Sequence, residues 1–166
     1  MDGACRPVQP MTTSAAKLLH GAIAEAAAPA GFRKKGSSWY CEEVDATLVL
    51  SPQKSQYGSQ YFLNLGIYWR RLGEKSAPKE EECHIRGRIS SVLPDELGQQ
   101  VERSLDFEDS SISDEERRGA VRDALAQYAI PMLKRCSTTE GLREEHRRSS
   151  LRRFLVARRL AMMLDL

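Results

Sequence analysis

The fold of this chain is decided by residues 61–69, which read YFLNLGIYW. Aromatic and branched side chains fill this stretch, as is typical of a β-strand. Because side chains alternate along a strand, one face carries a set that is largely apolar: Tyr61, Leu63, Leu65, Ile67 and Trp69. The opposite face carries a mixed set: Phe62, Asn64, Gly66, Tyr68 and Arg70. The pattern therefore predicts a strand over residues 60–71 with one buried face and one polar face.

Three further strands are predicted around this one. They cover residues 38–43, which contain Trp39 and Tyr40, residues 46–55, and residues 83–92. The connections between the four strands are short, whereas parallel strands need long crossovers. We therefore expect a four-stranded antiparallel meander.

Helices are predicted before and after the strands. Residues 12–14 supply capping hydroxyls for an alanine-rich helix that runs to about residue 28, and Ser113 followed by three acids begins another. Pro131 must end or kink that second helix, and a further start lies at residues 137–139. In the last predicted helix, four apolar side chains share one face: Leu151, Phe154, Leu155 and Met162. The expected fold class is α+β, with the N-terminal helix and the C-terminal helices packed on one face of the sheet.

Length and composition predict one domain. With 166 residues, 41% of them hydrophobic, the chain can bury an ordinary core over residues 12–166, after a flexible tail at residues 1–11 that holds two prolines. The first ten residues lack a signal-peptide pattern, and no apolar run reaches membrane length, so we expect no membrane association. The four cysteines are widely separated, which favours reduced thiols in the cytoplasm and excludes a clustered zinc site.

The motifs of the common enzyme classes are missing from this sequence. It contains neither a G-x-x-x-x-G-K-[ST] nor a G-x-G-x-x-G phosphate loop, and no G-x-S-x-G elbow. Cys83 and His84 are neighbours on a predicted strand, so they point to opposite faces and cannot hydrogen-bond directly. We therefore predict no catalytic residues, no cofactor and no metal. An enzyme with an unfamiliar site, built on His84, Tyr68 and the arginines, stays open as a third hypothesis.

The polar face of the predicted sheet is the main candidate for a binding site. His84, Arg86 and Arg88 share one face of the fourth predicted strand, and Asn64 and Tyr68 share one face of the third. If these faces coincide, they form a basic and aromatic platform. Arginine suits carboxylates and phosphates, and aromatic rings suit flat ligands. The alternative interpretation is an ordinary solvated outer face.

The C-terminal segment, residues 134–166, is rich in arginine. Such a segment could lie on an anionic membrane or on nucleic acid. Its apolar residues are needed to cover the sheet, however, and its arginines surround most of the helix. We interpret the segment as helix that covers the core.

Four short motifs follow one another along the chain: GFRKK at residues 31–35, QKS at 53–55, FLNLG at 62–66 and CHIRGR at 83–88. With these motifs in this order, the chain resembles a bacterial family of domains of unknown function over about residues 14–145. The resemblance implies no reaction, and some members of that family are suspected immunity proteins against bacterial toxins. It singles out a set of polar residues: Lys34, Lys35, Gln53, Lys54, Ser55, Asn64, His84, Arg86 and Arg88.

Two hypotheses of function follow from these observations. The first is a non-catalytic binding domain whose partner is another protein, with toxin immunity as its specific form. The alternative is that the basic face of Asn64, Tyr68, Arg86 and Arg88 binds nucleic acid, a nucleotide or a small anion. Phosphate contacts would make that second kind of binding steeply dependent on salt.

Overall fold

The computed structural model of the protein describes residues 11–166, with side chains from residue 15 onward. The flexible tail predicted at residues 1–11 lies outside the described residues, apart from Met11, which begins the first helix. No helix within the described range is long and apolar enough to cross a membrane.

The sheet has six strands, not the four predicted, and all neighbouring strands are antiparallel in the order of the chain. The strands are β1 (Arg33–Lys35), β2 (Ser38–Glu42), β3 (Ala46–Lys54), β4 (Tyr61–Trp69), β5 (Ile85–Arg88) and β6 (Leu155–Val156). The meander is therefore as predicted, and a short edge strand is added on each side. The strand predicted over residues 83–92 is only four residues long, because the chain turns into a 3₁₀ turn at Ile89–Val92.

The two added strands are too short to show a period of two. All three residues of β1 are charged, and the turn that joins β1 to β2 is Gly36-Ser37, where Gly36 has a φ of 64° that glycine adopts without strain. The segment of β6 pairs with β5 through only two residues, Leu155 and Val156. Neither strand is long enough to be separated from a loop by sequence pattern alone.

Six α-helices are described: α1 (Met11–Ala27), α2 (Asp95–Ser104), α3 (Asp114–Ala124), α4 (Ile130–Arg135), α5 (Thr139–Arg147) and α6 (Arg158–Leu164). The first helix and the start of α3 are confirmed. Ser113 accepts a hydrogen bond from the Glu116 amide, and the Glu116 side chain accepts one from the Ser113 amide, which is the reciprocal capping box.

Pro131 does not end the helix that begins at Ser113. A π-helical turn over Leu125–Ala129 joins α3 to α4. Proline cannot donate to the carbonyl four residues back and its ring clashes with that carbonyl, which here belongs to Gln127. The wider π turn accommodates the proline without this clash, and Pro131 lies in the first turn of α4.

The long amphipathic helix predicted at the C-terminus is wrong. Residues 148–154 form turns, β6 follows, and only then does α6 begin. Leu151 and Phe154 are buried, but Leu155 and Met162 are 66% and 69% exposed. The reason is tertiary: the Phe154 ring occupies the space beside Gly87, where a Cβ would lie 2.6 Å from it. This docking and the pairing of β6 with β5 override the helical spacing.

The helices cover one face of the sheet, as predicted. Leu48 and Leu50 of β3 and Leu65 and Ile67 of β4 are fully buried and join the apolar residues of the helices in one core, with Ile23 of α1 among them. This face is the one that the alternation of residues 61–69 assigned to the interior.

The opposite face is partly covered too, by residues 73–83, the covering segment. A second apolar cluster forms there from Val49, Tyr68 and Cys83, with Tyr40 packed against it. Gly66 makes this possible, because a Cβ at that position would lie 2.6 Å from the Cys83 sulfur. Half of the predicted polar face is therefore a small core.

Replacing Gly66 with alanine is expected to destabilise the protein by about 1–3 kcal/mol, because the added methyl meets the Cys83 side chain inside a packed cluster. Chemical denaturation measures the change in the free energy of unfolding. The cost should be smaller in a Cys83→Ala background, where the sulfur is gone.

Gly98→Ala is the matched control for that substitution. Gly98 is also buried, but it lies in α2 and a Cβ there would meet Ser90 at 3.5 Å, an ordinary contact. Alanine should therefore be neutral or stabilise by up to about 1 kcal/mol. Equal effects at both glycines would contradict the close packing of the covering segment on β4.

Candidate functional site

The uncovered half of the polar face carries a row of hydrophilic side chains across five strands, named here the polar row: Lys35, Ser38, Ser51, Asn64 and Arg88. Strand register sets this row, since Lys35 lies opposite Ser38, Ser51 opposite Asn64, and Asn64 opposite Arg88. Ser38 Oγ donates to Ser51 Oγ at 3.1 Å, which continues the row from β2 to β3. The row is half-buried at its centre and exposed at its two basic ends.

Arg88 lies at one end of the polar row and is held by an aromatic ring. Its guanidinium carbon lies 4.0 Å from the centroid of Phe62, which is half-buried on β4. This cation–π contact orients the guanidinium while leaving its N–H groups on the solvent side. Beside it, Asn64 Nδ2 donates to Gln53 Oε1 at 2.9 Å. The result is a flat polar surface with one pre-oriented cation.

Arg86 shares a strand face with Arg88 but has a structural contact. Its Nη1 donates to the carbonyl of Glu81 at 3.1 Å, and the side chain is half-buried. Since Glu81 belongs to the covering segment, Arg86 helps to hold that segment on the sheet. The two arginines of the R-x-R motif therefore have different environments.

Tyr68 and His84 lie on the covered half of the face. Their rings are tilted against each other with centroids 4.8 Å apart, and the Tyr68 hydroxyl accepts from the Lys75 amide at 3.3 Å. His84 Nδ1 accepts from the Trp69 amide at 2.9 Å. This histidine therefore completes the backbone hydrogen bonding at the end of β4, and its bonded partner is main chain rather than a catalytic side chain.

The remaining predicted residues are dispersed. Lys34 points to the opposite face of β1, with its Nζ 5.2 Å from the Trp39 ring centroid. Lys54 is the exposed last residue of β3, and Ser55 accepts from the Tyr57 amide in the turn that follows. Of the ten predicted residues, four thus share the uncovered half of the face: Lys35, Gln53, Asn64 and Arg88.

The comparisons with known proteins identify a family but no activity. The family described as "Domain of unknown function (DUF4304)" matches residues 23–135. The chain belongs to the DUF4304 family. No curated protein and no solved structure matches it. The matched part of this DUF4304 chain includes β1 to β5, and therefore the whole polar row, whereas α5, β6 and α6 follow it.

Three contributors to this surface were missed in the sequence: Phe62, Ser38 and Ser51. Phe62 stood on the polar face by alternation, but only the structure shows that it supports Arg88. The two serines can be assigned to this surface once the register of β2 on β3 is known. Trp39 lies opposite Leu50, so Ser38 and Ser51, the residues beside them, also lie opposite each other. Register across strands, rather than pattern within one strand, is the signal that would have found them.

The cysteine beside His84 is not suited to nucleophilic chemistry in this DUF4304 domain. Burial, and secondarily the nearby charge of Glu80, raises the pKa of the Cys83 thiol to about 12. Since the thiolate is the reactive form, Cys83 stays protonated near neutral pH. Its role is to pack against Gly66 beneath the covering segment.

Acidification is expected to destabilise the fold through His84. Burial, and secondarily the charge of Arg159, lowers the pKa of His84 below its ordinary value of 6.5. The unfolded chain then binds this proton more readily, so stability is complete above pH 6.5 and falls as the pH drops from there through the folded-state pKa. Protonation of Nδ1 would also remove the acceptor for the Trp69 amide.

His84→Asn tests this, because an asparagine oxygen can take the place of Nδ1 without titrating. Urea unfolding at about pH 7.5 and about pH 5 should show a smaller loss of stability on acidification in the variant than in the wild type. Some pH dependence should persist, since burial, and then the charge of Lys34, lowers the pKa of His20 as well. The same loss in both proteins would show that His84 does not carry the effect.

Proposed function

We propose that this DUF4304 domain is a non-catalytic binding module that docks an acidic surface of another protein on the polar row. The observation that carries the proposal is Arg88, whose exposed guanidinium is held on Phe62 at 4.0 Å. Among the described residues, no carboxylate lies within ion-pair distance of it. An oriented arginine without an internal partner can form paired hydrogen bonds with an incoming carboxylate.

The shape of the surface supports a macromolecular partner. The polar row runs across a sheet face, and its two charged ends, Lys35 and Arg88, are separated by three strands. The serine and amide groups between them can both donate and accept hydrogen bonds. A flat surface of this kind suits an extended partner that makes several weak polar contacts, with the two cations fixing its orientation.

Toxin immunity is the specific form of this proposal. It rests on the motifs that resemble a family with suspected immunity members, and it requires a toxin that presents acidic side chains at its docking surface. A basic toxin would instead have to meet the acidic groups of the covering segment, Glu80, Glu81 and Glu82. The first geometry is the one that the polar row supports.

A second candidate function is the binding of single-stranded nucleic acid. The stack of Arg88 on Phe62 favours it, because a guanidinium plane that lies on a ring can in turn carry a base, while Lys35 is in position to meet a phosphate. This candidate differs from the first in one measurable respect, since phosphate contacts release counterions and give a steep dependence on salt.

The experiment is capture of partners from cytosol by the tagged chain, at low and high salt, with wild type and a Lys35→Ala, Arg88→Ala double variant. A protein partner should persist at high salt and bind the double variant at least about tenfold more weakly, the expected cost of losing charged hydrogen bonds. Nucleic acid that is lost at high salt, together with salt-dependent binding of an oligothymidylate probe, would favour the second candidate.

Lys17→Ala, Arg71→Ala is the control of equal charge. Both of its residues are exposed and lie outside the polar row. If this control loses a captured partner to the same extent as the row variant, the effect is one of net charge and the polar row is not the docking surface.

A further inference from the structure

A cleft of about 680 Å³ opens on another part of the molecule, named here the arginine cleft. Its walls are the π turn and α4, the end of α5 with the turns that follow it, and residues 91–95, which lead into α2. This volume lies within the range of pockets that hold small molecules. None of the residues of the polar row lines it, so the cleft and the polar row are separate sites.

Four arginines line the arginine cleft: Arg135, Arg148, Arg152 and Arg153. Two carboxylates, Glu145 and Asp95, also line it, which leaves an excess of positive charge. Like charges are costly to gather in one place, so the cluster is a site of positive potential that an anion would relieve.

Three of the four guanidinium groups in the arginine cleft are oriented by carboxylates, and each keeps N–H groups that are free to donate. Arg135 Nε donates to Glu145 at 2.8 Å, and Glu145 is itself only 4% exposed. Arg153 uses Nη2 on Asp95 at 2.7 Å, and Arg148 uses Nε on Glu144 at 2.7 Å. Each guanidinium has five N–H groups, so donors remain on every one of them.

Arg152 differs from the other three arginines. It is exposed, and no carboxylate of the described residues lies within ion-pair distance of it. Its position follows from the end of α5, where Ser149 adopts a left-handed φ of 60° and the Ser150 amide donates to Glu145 O at 3.0 Å. This cap reverses the chain and brings Arg152 and Arg153 back beside Arg148.

The floor of the arginine cleft is less polar than its rim. Leu93 and Met132 are buried there, and Tyr128 is half-buried. Tyr128 and Gln127 belong to the π turn, a rare local structure that occurs often at functional sites. Their side chains give an aromatic ring and an amide beside the arginines. A ligand that fits this lining carries an anionic group with several acceptor oxygens and a small flat or apolar body.

We propose that the arginine cleft binds a phosphate-bearing small molecule, whose phosphate oxygens accept from Arg148 and Arg152 and whose body rests against Tyr128. Phosphate matches the donor set better than a single carboxylate does, because it offers acceptors in several directions to arginines that approach from different turns. The body of the ligand accounts for the apolar floor, which a free inorganic ion would leave unused.

Isothermal titration of pyrophosphate and of AMP into the full chain at low salt tests the proposal. We expect saturable binding of one equivalent of each, with AMP favoured by the floor of the cleft. An Arg148→Gln, Arg152→Gln double variant should bind both at least about tenfold more weakly. Gln127→Glu, at an exposed position, should weaken binding as well by placing a carboxylate in the cleft, and it provides a second variant should the first be unstable.

Arg147→Gln is the matched control, because Arg147 contacts the same Glu144 as Arg148 but does not line the cleft. It should bind both probes like the wild type. The absence of saturable binding at millimolar probe, or an equal loss in Arg147→Gln, would overturn the proposal. Binding of phosphatidylglycerol vesicles or oligothymidylate that needs Arg148 and Arg152, without binding of either small probe, would overturn it too, by showing a lipid or a nucleic acid as the source of phosphate.

Discussion

The fold depends on one constraint: β4 is buried on both of its faces along Leu65–Trp69, so the sheet needs a cover on each side there. The helices provide one cover through an ordinary apolar core. The other cover is a segment without long helix or strand, residues 73–83, and it can approach only because Gly66 leaves room for the Cys83 sulfur. Gly73 plays the same role for Tyr68, whose hydroxyl occupies the space that a side chain there would need. The absence of a side chain at Gly66 and at Gly73 therefore determines where the covering segment can pack on the second face.

Where the covering segment ends, the polar face stays open, and this boundary sets the character of the candidate site. Tyr68 and His84 are on the covered side and are engaged with main-chain groups. Asn64 and Arg88 are on the open side and present their side chains to solvent. The same alternation along β4 and β5 places all four on one face, but the cover divides that face into a structural part and a part that is free to bind. Binding there would need no rearrangement of the core.

The sequence was informative where a signal is local and repeated. The alternation in residues 61–69 predicted the face of β4 that packs against the helices, and the cap at Ser113 predicted the start of α3. It failed where tertiary contacts decide: the helical spacing of Leu151, Phe154, Leu155 and Met162 gave way to the docking of Phe154 beside Gly87. The candidate site shows the same division. Alternation predicted the polar face of each strand separately, and the register then brings Asn64 opposite Arg88. The cover over Tyr68 depends on a loop whose sequence carries no periodicity.

The arginines show why composition alone is a weak guide to function in this protein. Arg117 is 3% exposed and donates to the carbonyls of Ser104 at 2.9 Å and Asp106 at 2.5 Å, so it serves the fold by satisfying the end of α2. Arg86 has one such contact, and Arg88 rests on a ring without any carbonyl or carboxylate partner among the described residues. All three residues are arginines and carry the same formal charge. What separates a structural arginine from one that is available to a ligand is the number of its donors that the fold has already satisfied, and that number is set by the neighbouring backbone.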